Sequence, residues 1–421
     1  MVLKILAAIN GKVMKNKKLI IIWSSVFREF DYYRLELEHI SKKFDIEVHE
    51  MIKIFNPGFE KAYHSRCTRK IVKRYQSMFE WKSDFKKLIQ KYEVVALSMN
   101  KGDNFFKFLV NCILYINKVP IIKFSPGVIP NKKITLNLII HKFKNNFSLK
   151  ILFFYLENKF CFKLSNFLFK ADYLIARSGS DYQHFKKKNS NFKTKIVKGS
   201  YYDFSNALIY KPSKKDIKYK ANSFSLLLDT PGPRHPGDEL LHTYKPQPYH
   251  TSEKWFPKIN DFFSFLEKNF HTKVKIAPHP KIGPSKFPKD FNFREVVSNK
   301  LTYMAKNAKI IISKAPGSAG LVYAALFEKP ILLIFSNEML DDRNIMEDFK
   351  AMAVAFKVTP INIDKNYTKK MICQKLKIKT NTYRDYLKKY STARNDKKPN
   401  YQIVIELLNS IFSNKNKFRT E

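Results

Sequence analysis

Short apolar runs alternate along this chain with stretches in which apolar residues return every third or fourth position, the pattern of strands buried between helices. Residues 19–23, Leu-Ile-Ile-Ile-Trp, form the first run. A helix is predicted from about Asp31, with Leu35, Leu37 and Ile40 on its apolar side, and residues 44–48 supply the next strand. Further strands are predicted at 94–98, 120–124, 173–176 and 195–197, separated by helical stretches. Runs that are continuous in apolar character are covered on both faces, so the first half is expected to be a mostly parallel sheet between helices. Around residues 211–216 the pattern lapses into a polar, proline-containing run, read as a linker.

A second set of elements opens at residues 225–229 and continues through an amphipathic helix at 255–270 with Trp255, Ile259, Phe262, Phe263 and Leu266 as its core side. Two buried runs, Ile276-Ala277 and Ile311-Ile312, each lead into a polar turn. A helix at 321–326, a strand at 329–334 and a last helix at 401–412 complete the pattern. The expected architecture is α/β, with two doubly wound Rossmann-like domains at 1–212 and 213–395, followed by a helix and tail at 396–421.

Length agrees, because 421 residues exceed what one ordinary core organises. The four cysteines show no paired spacing, which argues against a zinc site or disulfide framework and suits a reducing, cytoplasmic setting. No run approaches the roughly 18 apolar residues of a spanning helix. The opening residues do not read as a cleavable leader. The formal charge of +42 comes mainly from lysine. Arginine, the usual reader of phosphate and guanine edges, is scarce, so nucleic acid is not the expected partner. Codon bias accounts for such a surplus as readily as function does. The functional reading left is attraction to anionic substrates and to an anionic membrane surface. Residues 132–170, rich in aromatics and lysine with few acids, read equally as an interfacial stretch or as core-facing helices with a lysine-coated outer side.

Candidate chemistry gathers where predicted strands end. His279-Pro280 follows the first of the two buried runs, and Ser313 to Gly320 follows the second. Gly317 and Ser318 precede a helix, so backbone N–H groups and a hydroxyl are expected to converge into an anion cradle, although Ser318 alone would also read as a helix cap. Asp229 ends the first strand of the second domain, and Arg234 and His235 lie in the proline- and glycine-dense loop after it, where a donor contact and a plain surface turn are both open.

This order of motifs resembles the acidic, His-Pro and serine motifs of bacterial sialyltransferase-like and polysialyltransferase-like enzymes of the GT-B class. It is also similar to surface-carbohydrate biosynthesis proteins of capsule and O-antigen loci, through residues 31–34 with Glu38, 227–229 with His235, Pro236 and Asp238, and 275–280. The resemblance implies a nucleotide-sugar glycosyltransferase, inverting and metal-independent, with no cofactor. Its donor would be a CMP-sugar such as a nonulosonic acid, and its acceptor a glycan or lipid-linked saccharide. It implies that His279, with Pro280, Ser313, Gly317 and Ser318, holds the donor phosphate. Asp229 would be the general base, with Asp31 and Asp103 as acceptor-side rivals, because Thr230-Pro231-Gly232 departs from the family's acidic tripeptide. Two other readings remain: a CDP-glycerol-type polyol-phosphate transferase, and a non-catalytic lysine-rich assembly or nucleic-acid-binding protein.

Overall fold

The computed structural model describes residues 16–62, 65–100, 102–127, 130, 149–188, 194–211, 220–230, 232–233, 250–279, 289–297, 300–315, 317–378 and 380–417. The predicted linker falls largely outside them.

Seven strands form the first sheet: β1 (Asn16–Trp23), β2 (Asp45–Glu50), β3 (Val72–Arg74), β4 (Tyr92–Ser98), β5 (Ile121–Phe124), β6 (Tyr173–Ala176) and β7 (Lys195–Lys198). Their spatial order is β3-β2-β1-β4-β5-β6-β7, and every pairing is parallel. Along β1 the apolar run divides between two cores, Leu19 and Ile21 joining one while Ile20 and Ile22 join the other. This is why the run reads as continuous: both faces of the strand are buried.

Helices α1 (Glu29–Arg34), α2 (Met78–Lys91), α3 (Phe105–Ile116), α4 (Leu149–Leu168) and α5 (Tyr202–Ile209) belong to this half. The helix predicted from Asp31 through Ile40 is two pieces, because Glu36 adopts a left-handed φ of 57° between Arg34 and Leu37. Periodicity could not show that break, since the apolar side continues across it.

The second sheet contains β8 (Phe224–Leu228), β9 (Lys273–Ala277), β10 (Ile310–Lys314), β11 (Ile331–Phe335) and β12 (Ile361–Asn362) in the order β12-β11-β10-β8-β9. It too is all parallel. Helix α6 (Ser252–Phe270) buries Trp255, Ile259, Phe262, Phe263 and Leu266, the side its sequence specified, and α7 (Leu321–Leu326) links β10 to β11. The architecture is thus two doubly wound α/β units of the GT-B-like class.

The last helix, α8 (Asn400–Lys417), returns to the first unit, where Ile403, Val404, Leu407, Leu408, Ile411 and Phe412 join the core beneath β1 and β2. Glu36 anchors its start: one carboxylate oxygen accepts the Tyr401 amide at 2.7 Å. Glu36 is 2% exposed, and burial pushes its carboxyl up to about 7, against the Ser205 and Tyr401 contacts that pull it down.

The folded form therefore holds a proton that the unfolded chain releases near 4.5, so this contribution is full below about pH 4.5 and lost as pH rises through about 7. Glu36→Gln is expected to match the wild type at pH 4.5 and to exceed it by up to about 3 kcal/mol at pH 8. Urea titrations at the two pH values test this; an advantage that does not change with pH would rule out the titration.

Candidate functional site

In the second sheet the strand order reverses at β8, which has β9 on one side and β10 on the other. Crevices at such reversals, outside the carboxyl ends of the strands, are where open α/β sheets bind ligands. Ala277, Leu228 and Ser313 lie in one row across β9, β8 and β10. One step beyond the row stand Asp229 and Lys314, and two steps beyond it on β9 stands His279. With strands about 4.8 Å apart, the His279 strand and the Lys314 strand are separated by roughly 10 Å, a span suited to one phosphate-bearing group.

Lys314 is the centre of this edge. Its side chain is 1% exposed, and Nζ lies 3.0 Å from Asp229 Oδ1, whose side chain is 3% exposed. The ammonium also donates to the Gly232 carbonyl and faces His250 Nε2 at 3.4 Å. It lies 5.2 Å from the centre of the Trp255 ring, against which His250 packs edge-on at 5.0 Å. Burial pulls the Lys314 ammonium below its ordinary value and pushes the Asp229 carboxyl up, each partner opposing the other's shift. Burial and the neighbouring ammonium hold His250 at about 2, so its imidazole is neutral and presents Nε2 as acceptor.

The loops around the pair are tied to the sheet. The Asp229 amide donates to Ala277 O at 2.9 Å, and Thr230 Oγ1 donates to Ala315 O at 3.2 Å.

The other expected residues fall in several settings. His279 is half-buried at the end of β9. Ser313 is fully buried within β10, and its Oγ has no hydrogen-bond partner. Gly317, at a φ of 100°, closes a turn by donating to Lys314 O at 2.8 Å, and Ser318 Oγ accepts the Gly320 amide at 3.1 Å. The amides of Leu321, Val322 and Tyr323 are engaged in the same local turns, which leaves the helix start a tighter structure than an open cradle. Arg234, His235 and Pro280 lie outside the described residues.

In the first unit the order reverses between β1 and β4, and Asp103 follows β4 there. Its carboxylate meets Lys107 at 2.6 Å, with 27% of the side chain exposed. Asp31 instead lies within α1, 2% exposed and clamped by both Nε and Nη2 of Arg28 at 2.8 and 2.9 Å. Further along this edge Arg34 donates to Tyr201 Oη at 3.1 Å, and Arg177 lies over Tyr202 at 4.7 Å. The sequence reading gave no role to Lys314 or Arg34, although both lie in segments it named, and it passed over His250, Arg177, Tyr201 and Tyr202. Lysine is everywhere in the chain and His250 belongs to no motif, so only the tertiary arrangement singles them out.

No family model and no curated protein matches the chain. Solved structures of similar fold include Anabaena Alr3699/HepE in complex with UDP-glucose, at 13% identity and a TM-score of 0.46, covering 93% of this chain and 99% of that one. A UDP-N-acetylglucosamine 2-epimerase gives 14% identity and a TM-score of 0.47 over 94% and 96% of the two chains. WaaG, a glycosyltransferase involved in lipopolysaccharide biosynthesis, gives 12% and 0.41 over 88% and 92%.

Proposed function

We propose that the protein is an inverting glycosyltransferase that moves a sugar, a nonulosonic acid from a CMP donor, onto a glycan or lipid-linked acceptor of a bacterial surface polysaccharide. The observation that carries this reading is the buried Lys314–Asp229 pair at the strand-order reversal of the second sheet, with His279 on the adjoining strand end. A sugar–phosphate bond that breaks leaves negative charge on the phosphate, and fixed cations and donors at that point lower the barrier. His279 would meet the leaving phosphate directly. Lys314 would supply positive potential from beneath, and the amides of Ser318 and Ala319 would close the far side.

Asp229 is better suited to positioning than to taking a proton, because its carboxylate is buried against Lys314. We assign the acceptor base to Asp103, the more exposed carboxylate at the reversal point of the first sheet. The reaction then balances simply. The acceptor hydroxyl loses its proton to Asp103, its oxygen bonds the anomeric carbon, and the nucleotide phosphate leaves with the electron pair of the broken bond. The polyol-phosphate alternative asks for a second histidine as base. His235, the candidate for that role, lies outside the described residues, and His250 turns its Nε2 to the Lys314 ammonium.

Melting curves with CMP, CDP, UDP and GDP test the donor. CMP is expected to raise the midpoint most, since a ligand held only by the folded form stabilises it. A response to UDP or GDP alone would overturn the CMP assignment, and no response to any of the four would overturn the nucleotide site.

A further inference from the structure

Helix α4 turns a row of large apolar residues to water, and α3, whose Val110 and Leu114 are in the core, exposes more at both its ends. Of the seventeen large hydrophobic side chains exposed among the described residues, ten lie on these two helices. On α4, Phe153, Leu156, Phe160 and Phe167 are 70%, 52%, 67% and 76% exposed. At 3.6 residues per turn these four fall within a sector of roughly 60°, one continuous stripe. The opposite side is the buried one, carrying Cys161, Ser165 and Phe169. It packs on α3 through Asn111 Nδ2 to Ser165 Oγ at 3.4 Å and through the Tyr115 and Phe169 rings at 5.5 Å. At the far end of α3, Tyr115 and Ile116 are also exposed, at 58% and 74%.

Charge on the described residues of this face is mostly positive. The described charged residues on and beside the two helices are Lys107, Lys118, Lys159, Lys163 and Lys170, against Asp103 and Glu157. Lys159 and Lys163 are exposed along one margin of the stripe, and Lys118 and Lys170 are exposed where the two helices end. Aromatic side chains flanked by lysine stems suit a headgroup region, where the rings enter the acyl boundary and the ammonium groups stay among phosphates.

Position adds a third argument. The Phe105 amide bonds Glu157, and Asn111 and Tyr115 meet Ser165 and Phe169, so the two helices run side by side in the same direction. The first two turns of α4, including Phe153 and Leu156, therefore extend past the start of α3. That is the carboxyl-end side of the first sheet, where Asp103 lies.

We propose that this face of α3 and α4 seats the protein on an anionic lipid surface. The proposal goes beyond the transfer reading and does not depend on the donor. Co-sedimentation with vesicles tests it, without nucleotide and at physiological salt, where loose charge attraction is screened. Vesicles of phosphatidylcholine with about three-tenths phosphatidylglycerol are expected to take down the wild type, and pure phosphatidylcholine is not.

The variant Phe153→Ser/Phe160→Ser/Phe167→Ser keeps every charge and alters only exposed positions. It is expected to lose at least about tenfold in partitioning while its melting midpoint stays within a few degrees. Failure of the wild type to bind the anionic vesicles would overturn the proposal. So would equal binding by the variant, which would mean adhesion by net charge alone. A wild-type dimer that the variant abolishes would reassign the face to contact between copies.

Discussion

Replacing Lys314 with methionine is expected to lower the unfolding midpoint of the second unit by roughly 10 °C. The substitution leaves the Asp229 carboxylate in a site where its side chain is 3% exposed, with its ionic partner gone. Breaking one side of a buried pair costs about 3–5 kcal/mol, because the remaining charge has neither water nor partner. For a unit of this size each kcal/mol moves the midpoint by about 2–4 °C. The double variant Asp229→Asn/Lys314→Met removes both charges and is expected to recover most of the loss. Calorimetry of the two single variants and the double gives the coupling directly. Additive losses would mean that the two groups do not act as a pair, and the account of the site's electrostatics would fall with them. The double variant serves function as well: if Lys314 supplies potential to a leaving phosphate, the refolded double variant will remain deficient in transfer.

His279→Ala is expected to reduce sugar transfer by about 10²–10³-fold, the loss typical when one donor to a developing oxyanion is removed. Its effect on stability should be small, since His279 is half-buried beyond the end of β9 and outside the apolar core. This separates it from Lys314, where both quantities fall. The CMP-induced rise in melting midpoint should shrink with it, and His279→Gln, which retains a side-chain N–H, should restore part of that rise. Unchanged transfer in His279→Ala would remove this histidine from the chemistry, whichever nucleotide the protein uses.

Ten of the twelve described strands were legible as short, mainly apolar runs bounded by polar turns, whereas β3 and β12, edge strands of three and two residues, carry no such run. Parallel pairing followed from the helices between them. The carboxyl-end location of Asp229 and His279 followed as well, since both come after a strand, whereas Ser313 lies inside β10. What the sequence could not show was partnership. Lys314 is one of 78 basic residues, and nothing local distinguishes it from the others until β8 brings Asp229 to 3.0 Å. Ser313 was assigned to the donor phosphate through the resemblance to a serine motif, and the structure places it fully buried within β10. Asp31 stood in a recognisable string, but it is spent on Arg28 three residues earlier. The turn at Glu36 and the return of α8 to the first unit both rest on contacts between residues hundreds of positions apart, which periodicity does not encode.

That return has a mechanical consequence. The segment just before α8 is laced to the start of α5. The Asn400 amide donates to Ser205 Oγ at 2.7 Å, its side chain bridges Ser200, and the Tyr201 amide reaches Ser391 O at 2.7 Å. Any movement of one unit against the other that parts residues 200–205 from residues 391–400 has to break these bonds first.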